Sequence, residues 1–148
     1  MKEFDDSKLD AGEEIEEKTI KYVVRYEKEI DAETGEEKLK PFYEDISGFK
    51  IKHIDTGQYQ RLIENSVEVS SDSTKIKPKI AALNEAKMLA CLHDCPLSIT
   101  DPKTNQKIEW LKADNNKRVM RWRKLKPQVS QAILKAIDEV NGTSINFQ

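Results

Sequence analysis

A chain of 148 residues is long enough for one domain with a modest core, and 35% charged against 37% hydrophobic residues, at a formal net charge of −2, is a charged but foldable composition. No stretch approaches the ~20 apolar residues of a membrane-crossing helix, and the acidic N-terminus, MKEFDDSKLDAGEEIEE, has no apolar secretory segment. Cys91 and Cys95 are too few for a disulfide framework, so composition points to a cytoplasmic protein with reduced thiols.

Residues 1–17 carry two lysines against eight acidic side chains and few apolar ones. They are expected to form an acidic flexible tail, because so little apolar surface cannot offset the entropy of ordering. A single α+β domain is expected over 18–142, with strands in 18–54 and mainly helices in 55–142, and a short C-terminal tail over 143–148.

From Thr19 to Ile30, Ile20, Tyr22, Val24 and Tyr26 alternate with Lys21, Val23 and Arg25, the period of a strand. Thr34-Gly35 signals a turn. Leu39, Phe42, Tyr43 and Ile46 predict a second, antiparallel strand, at an edge or broken at Pro41 because proline has no amide to donate. After Ser47-Gly48, Phe49, Ile51 and His53 alternate as a third, giving a small N-terminal antiparallel β-meander.

Asp55 and Gln58 have the spacing of a capping box, and Tyr59, Leu62, Ile63 and Ser66 follow as one helical face. Ser70–Lys75 is loop-like. Pro78 suits the start of a second helix running to about His93, whose apolar residues Ile80, Leu83, Ala86, Met88, Leu89, Ala90 and Leu92 spread round the cylinder. Leu97–Thr100 and Lys107–Trp110 are either a small hairpin or a long pinned loop. Asp114 can cap a helix bearing Val119, Met120, Trp122 and Leu125. Pro127 opens a last helix striped by Val129, Ala132, Ile133, Ala136, Ile137 and Val140 and stopped at Asn141-Gly142. Ile145 and Phe147 can then dock or fray. Strands before helices argue for an α+β fold with a mainly helical C-terminal part.

Three groups bear on chemistry. Cys91, His93 and Cys95, with His53 elsewhere, are ligand types for zinc, but on a helix His93 points away from the two thiols. Buried cysteines beside a surface histidine are the plain reading, a Cys91–Cys95 disulfide needs the helix to have ended, and no metal or cofactor is expected. Cys91 with His93 is the sole nucleophile-and-base pairing on offer and lacks a surrounding signature, so the chain reads as a non-enzyme. Residues 103–127 hold nine lysines and arginines against two acids. Beside Trp122, that run, densest over 117–126, is compatible with nucleic acid, although a solvated helix face or an acidic protein partner fits the pI of about 5.8 better. The opposed charges of the N-terminal tail and this run also suggest self-association.

The run FKIKHIDTGQYQRLIE from Phe49 to Glu64, the step Cys95-Pro96-Leu97, an Arg-rich helix closing on Leu125-Lys126-Pro127, and QAILKAIDEVNG from Gln131 to Gly142 follow an order that resembles the tail assembly chaperones of long-tailed bacteriophages. The resemblance implies a viral, non-catalytic assembly chaperone or scaffold in the host cytoplasm, binding helical segments of a tape measure protein and recruiting tail tube subunits. The apolar helices look too extensive for a thin sheet to cover, which would leave a groove for a guest helix. The residues expected to touch the partner are Met88 and Leu92 on the second helix and Ile133, Ile137 and Val140 on the last, with Arg118, Arg121 and Arg123 steering acidic groups. A nucleic-acid-binding regulator and a small structural virion protein are the alternatives.

Overall fold

A computed structural model of the chain describes residues 9–12, 14–69 and 76–142. In chain order the elements are β1 (Ile15–Ile30), β2 (Glu37–Lys52), α1 (Thr56–Glu64), β3 (Val67–Val69), β4 (Ile76–Pro78), α2 (Ile80–Cys91), β5 (Leu92–Asp94), β6 (Ser98–Thr100), β7 (Lys107–Glu109), a 3₁₀ turn at Trp110–Lys112, α3 (Asn115–Arg123) and α4 (Pro127–Asn141). The two long antiparallel strands come first, and the helices follow with the short strands β3 to β7 among them, an α+β arrangement.

β1 and β2 are a hairpin of two 16-residue strands. Its turn is closed where the amide of Gly35 donates to the carbonyl of Asp31 at 2.9 Å and the amide of Glu33 to the Asp31 carboxylate at 2.9 Å. Gly35 sits at φ +70°, which the absence of a Cβ permits.

The strands expected on either side of Ser47-Gly48 are one strand. Gly48, at φ +94°, bends β2 without ending it. The pairing passes from Lys18–Phe49 to Ile20–Ile46, so β2 holds one extra residue there as a bulge. The third strand of this sheet comes from later in the chain: β5 lies antiparallel to β2 at Lys50 and Ile51, giving the order β1-β2-β5. The sheet also begins sooner than expected, since Ile15–Glu17 of the expected tail already pair with Lys50–Lys52. Residues 1–8 and 13 of that tail, the loop Ser70–Lys75 and the C-terminal tail 143–148 with Ile145 and Phe147 lie outside the described residues.

The Asp55 carboxylate accepts from the Gln58 amide at 2.8 Å while the Gln58 side chain accepts from the Asp55 amide at 3.0 Å, the reciprocal cap read from their spacing. Pro78 ends β4 rather than opening α2, which starts at Ile80. α2 stops at Cys91 rather than His93, because Leu92–Asp94 turn extended to join the sheet. The segments around Asp101–Gln106 form the hairpin β6–β7, with Asn105 at φ +58° in its turn. α3 is capped by Asp114, whose carboxylate accepts from the Lys117 amide at 2.9 Å. α4 opens on Pro127 and closes on Gly142 at φ +63°.

α2 and α4 cover one face of the sheet's base. Ile20, Phe49 and Ile51 from the strands meet Met88, Cys91 and Leu92, and Ile133, Ile137 and Val140, all inside one core cluster that also holds Trp110 and Trp122. Each such aliphatic or aromatic side chain contributes about 1.5–3 kcal/mol on full burial. Asn141 fastens the end of α4 to the sheet. Its side-chain oxygen accepts from the Ile54 amide at 2.9 Å, and its nitrogen donates to the carbonyls of Ile137 at 3.0 Å and Lys52 at 3.2 Å. The buried Lys87 ammonium of α2 donates to Asp138 of α4, a charged tie between the two covering helices.

Candidate functional site

The apolar residues expected at a partner groove are interior. Met88 and Ile133 are 0% exposed, Ile137 1%, Leu92 2% and Val140 7%. The reason is geometric. β5 adds a third strand under α2, and Trp110 and Trp122 close in from the 3₁₀ turn and α3, so the helices' apolar stripes are consumed by the fold. These five residues offer nothing to a guest chain.

The three arginines bind within the molecule. Arg118 is half-buried, its Nε donating to the Trp110 carbonyl at 3.0 Å and its guanidinium lying 5.4 Å from the Trp110 ring centre. Arg121 donates to the Ser98 carbonyl at 2.9 Å, pinning β6 to α3. Arg123 makes a two-pronged pair with Glu85 of α2, at 2.6 and 3.1 Å. Lys117, Arg121 and Lys124 still line a shallow cleft around Met120 on the outer side of α3.

The candidate zinc and nucleophile residues are not brought together as a site. Cys91 and Cys95 are buried and unbridged. Burial pushes the Cys91 thiol up to about 11 and the Cys95 thiol up to about 12, so both stay protonated and weakly nucleophilic at neutral pH. His53 and His93 instead line an open cleft of about 530 Å³ with Glu14, Lys52 and Gln58, and His53 Nε2 lies 3.6 Å from Glu16 and 3.9 Å from Glu14. Among the described residues no group of three or more His, Cys, Asp or Glu side chains is placed to hold a metal ion, and no helix is long and apolar enough to cross a membrane.

Exposed apolar side chains gather elsewhere, on the outer half of the β1–β2 hairpin, apart from Leu9, Ile15, Ile80, Leu111 and Met120, which lie at other places on the surface. Beyond Tyr22 and Ile46 no residue of this ribbon belongs to the core or packs against it. Yet Tyr26 is 61% exposed, Ile30 67%, Leu39 65% and Tyr43 50%. The register shows why they gather. From Val23–Tyr43 the pairing steps to Arg25–Phe42, so β1 carries one extra residue, Val24, as a bulge. A one-residue slip moves every following side chain to the opposite face. Below the bulge the apolar residues Ile20 and Ile46 face the helices. Above it, Arg25–Phe42, Glu27–Lys40 and Glu29–Lys38 take that side, and Tyr26–Pro41, Lys28–Leu39 and Ile30–Glu37 continue the other face after Val23–Tyr43. The result is an apolar stripe of Val23, Tyr26, Ile30, Leu39, Pro41 and Tyr43 on the face turned away from the helical body.

Side-chain contacts agree with this division. On the stripe's face Lys21 lies 4.7 Å over the Tyr43 ring, and Lys28 pairs with Glu37 at 4.0 Å. On the other, Arg25 covers the Phe42 ring at 4.6 Å and pairs with Glu27 at 3.1 Å. The stripe went unread in the sequence because strict alternation places Tyr26 with Ile20 and Tyr22. The available signal was an apolar set on two long strands with too few later strands to cover them. No family model matches the chain, and neither a curated protein nor a solved structure matches it.

Proposed function

We propose that the protein is a non-catalytic assembly chaperone or scaffold, of the kind its resemblance to phage tail assembly chaperones implies, working in the host cytoplasm and holding apolar helical segments of a partner such as a tape measure protein. The observation that carries this reading is the apolar stripe on the outer face of the hairpin arm. From Val23 to Ile30 it runs roughly 23 Å at ~3.3 Å per residue, about four turns of a helix at ~5.4 Å each. Aromatic and branched side chains there meet an amphipathic helix without any need for the body to open. The contact surface therefore sits on β1 and β2 and not on α2 and α4. Recruitment of tail tube subunits belongs to the same reading.

The test is solubility of a long, helix-rich, aggregation-prone partner produced with or without the full chain. The native sequence is expected to keep it soluble, and Tyr26→Lys with Leu39→Lys to lose most of that effect. Arg121→Glu with Arg123→Glu is expected to keep it. A Tyr26/Leu39 variant that protects the partner as well as the native chain does would end this reading. Binding that falls steeply with salt and vanishes in the arginine variant would favour nucleic acid instead.

A further inference from the structure

We infer that the stripe is covered, when no client is present, by the same stripe of a second copy, in a weak two-fold dimer whose axis runs along the arm. The inference rests on the stripe being the binding surface proposed above and names its resting occupant.

The argument begins with symmetry. When two ribbons stack face to face about an axis parallel to their strands, β1 of each lies over β2 of the other. Every residue then sits over the copy of its own cross-strand partner. On this face the pairs nearer the body are self-complementary, while toward the tip Lys28–Leu39 and Ile30–Glu37 set a charge over an aliphatic side chain. Glu17 pairs with Lys50 and Lys21 with Asp45, so each charge meets its opposite a second time across the interface. The apolar pairs Val23–Tyr43 and Tyr26–Pro41 likewise meet apolar surface. An axis across the arm at the middle of the stripe, at Pro41, would instead lay β2 on β2 and bring Asp45 against the partner's Glu37, two like charges. Charge pattern thus selects one of the two closed arrangements, and a closed two-fold is the commonest symmetry of soluble oligomers.

Size sets the strength. Sixteen residues at ~3.3 Å and two strands spaced ~4.8 Å give a face of roughly 500 Å² per copy, against ~800 Å² per partner in a standard stable interface. Such a dimer forms and dissolves readily, which lets a client helix displace the second copy.

Sedimentation of the full chain across about 10 μM to 1 mM, the range of weak association, tests this. The mass is expected to climb from 17.1 kDa toward twice that value. Tyr26→Lys with Leu39→Lys should hold it at the monomer. Lys21→Glu and Asp45→Lys, each alone, should weaken association about tenfold, and mixing the two single variants should restore it, since Glu and Lys then meet across the interface. That restoration in a mixture cannot come from any effect within one hairpin. A chain that is monomeric throughout, an association indifferent to the stripe variant, or a mixture that fails to recover overturns the dimer. If the client is still held through Tyr26 and Leu39 in a strictly monomeric chain, the dimer alone is lost. If association behaves as stated but no client is protected, the chaperone reading alone is lost.

Discussion

Lys87 carries a positive charge at 6% exposure inside a helical layer, and it is tolerated because Asp138 receives it. Removing one member of a buried ion pair leaves the other uncompensated, at a cost of about 3–5 kcal/mol where both are fully buried. Asp138 retains 28% side-chain exposure, so Lys87→Ala should cost about 2–3 kcal/mol by that principle. Lys87→Met with Asp138→Leu should recover most of it. Urea denaturation followed by circular dichroism measures both, and a single variant within ~0.5 kcal/mol of the native chain would show the pair to be incidental. Arg118 illustrates the same lesson for a residue expected to face a partner. A basic side chain next to an aromatic one reads equally as a binding face or as a clamp, and only the fold, by bringing the Trp110 carbonyl and ring together at Arg118, decides for the clamp.

At the scale of elements, the caps were legible. Asp55 with Gln58, Asp114, Pro127 and Gly142 all act where their spacing places them, because each is a local interaction among residues a few positions apart. The bulges were not. Gly48 carries the signature of a turn and instead admits one extra residue into β2, and nothing around Val24 marks it as the inserted position on β1. Which residue a ladder skips depends on the opposite strand and on what the body will cover, neither of which period-two alternation contains. The bulge at Val24 gives a direct test. Deleting Val24 removes the extra residue and leaves Val23, Arg25 and Tyr26 in strict alternation opposite Tyr43, Phe42 and Pro41, so Tyr26 and Ile30 stay on the stripe's face. Client protection should then stay at the native level while the body still unfolds cooperatively. Protection that falls as far as it does in the Tyr26/Leu39 variant would mean that the bulge itself, and not the face it sets, is what the client needs.

The whole molecule divides into a packed body and an outlying ribbon. The strands-then-helices order was visible from periodicity, and so was the apolar stripe of α4. What could not be seen was how completely that stripe is used, since Leu92 joins the sheet and the two tryptophans fold inward only in three dimensions. Because no core side chain comes from the outer ribbon, the body should stand without it. A chain in which Tyr22 is joined to Glu44 through an Asn-Gly turn should melt within ~5 °C of the native protein, a shift worth about 1 kcal/mol at this size. A much larger drop in thermal denaturation would show the ribbon to be part of the cooperative unit.

Pro41 has a consequence at this scale as well. A long bare strand edge invites further strands to add to it, and repeated addition ends in a fibre. On its side away from β1, β2 pairs with β5 at Lys50 and Ile51 alone, and a strand laid farther along that edge would find no donor at Pro41. Propagation needs two receptive edges. With one of them interrupted, strand addition at β1 should not be handed on through β2, so the ribbon should be a poor seed for polymers.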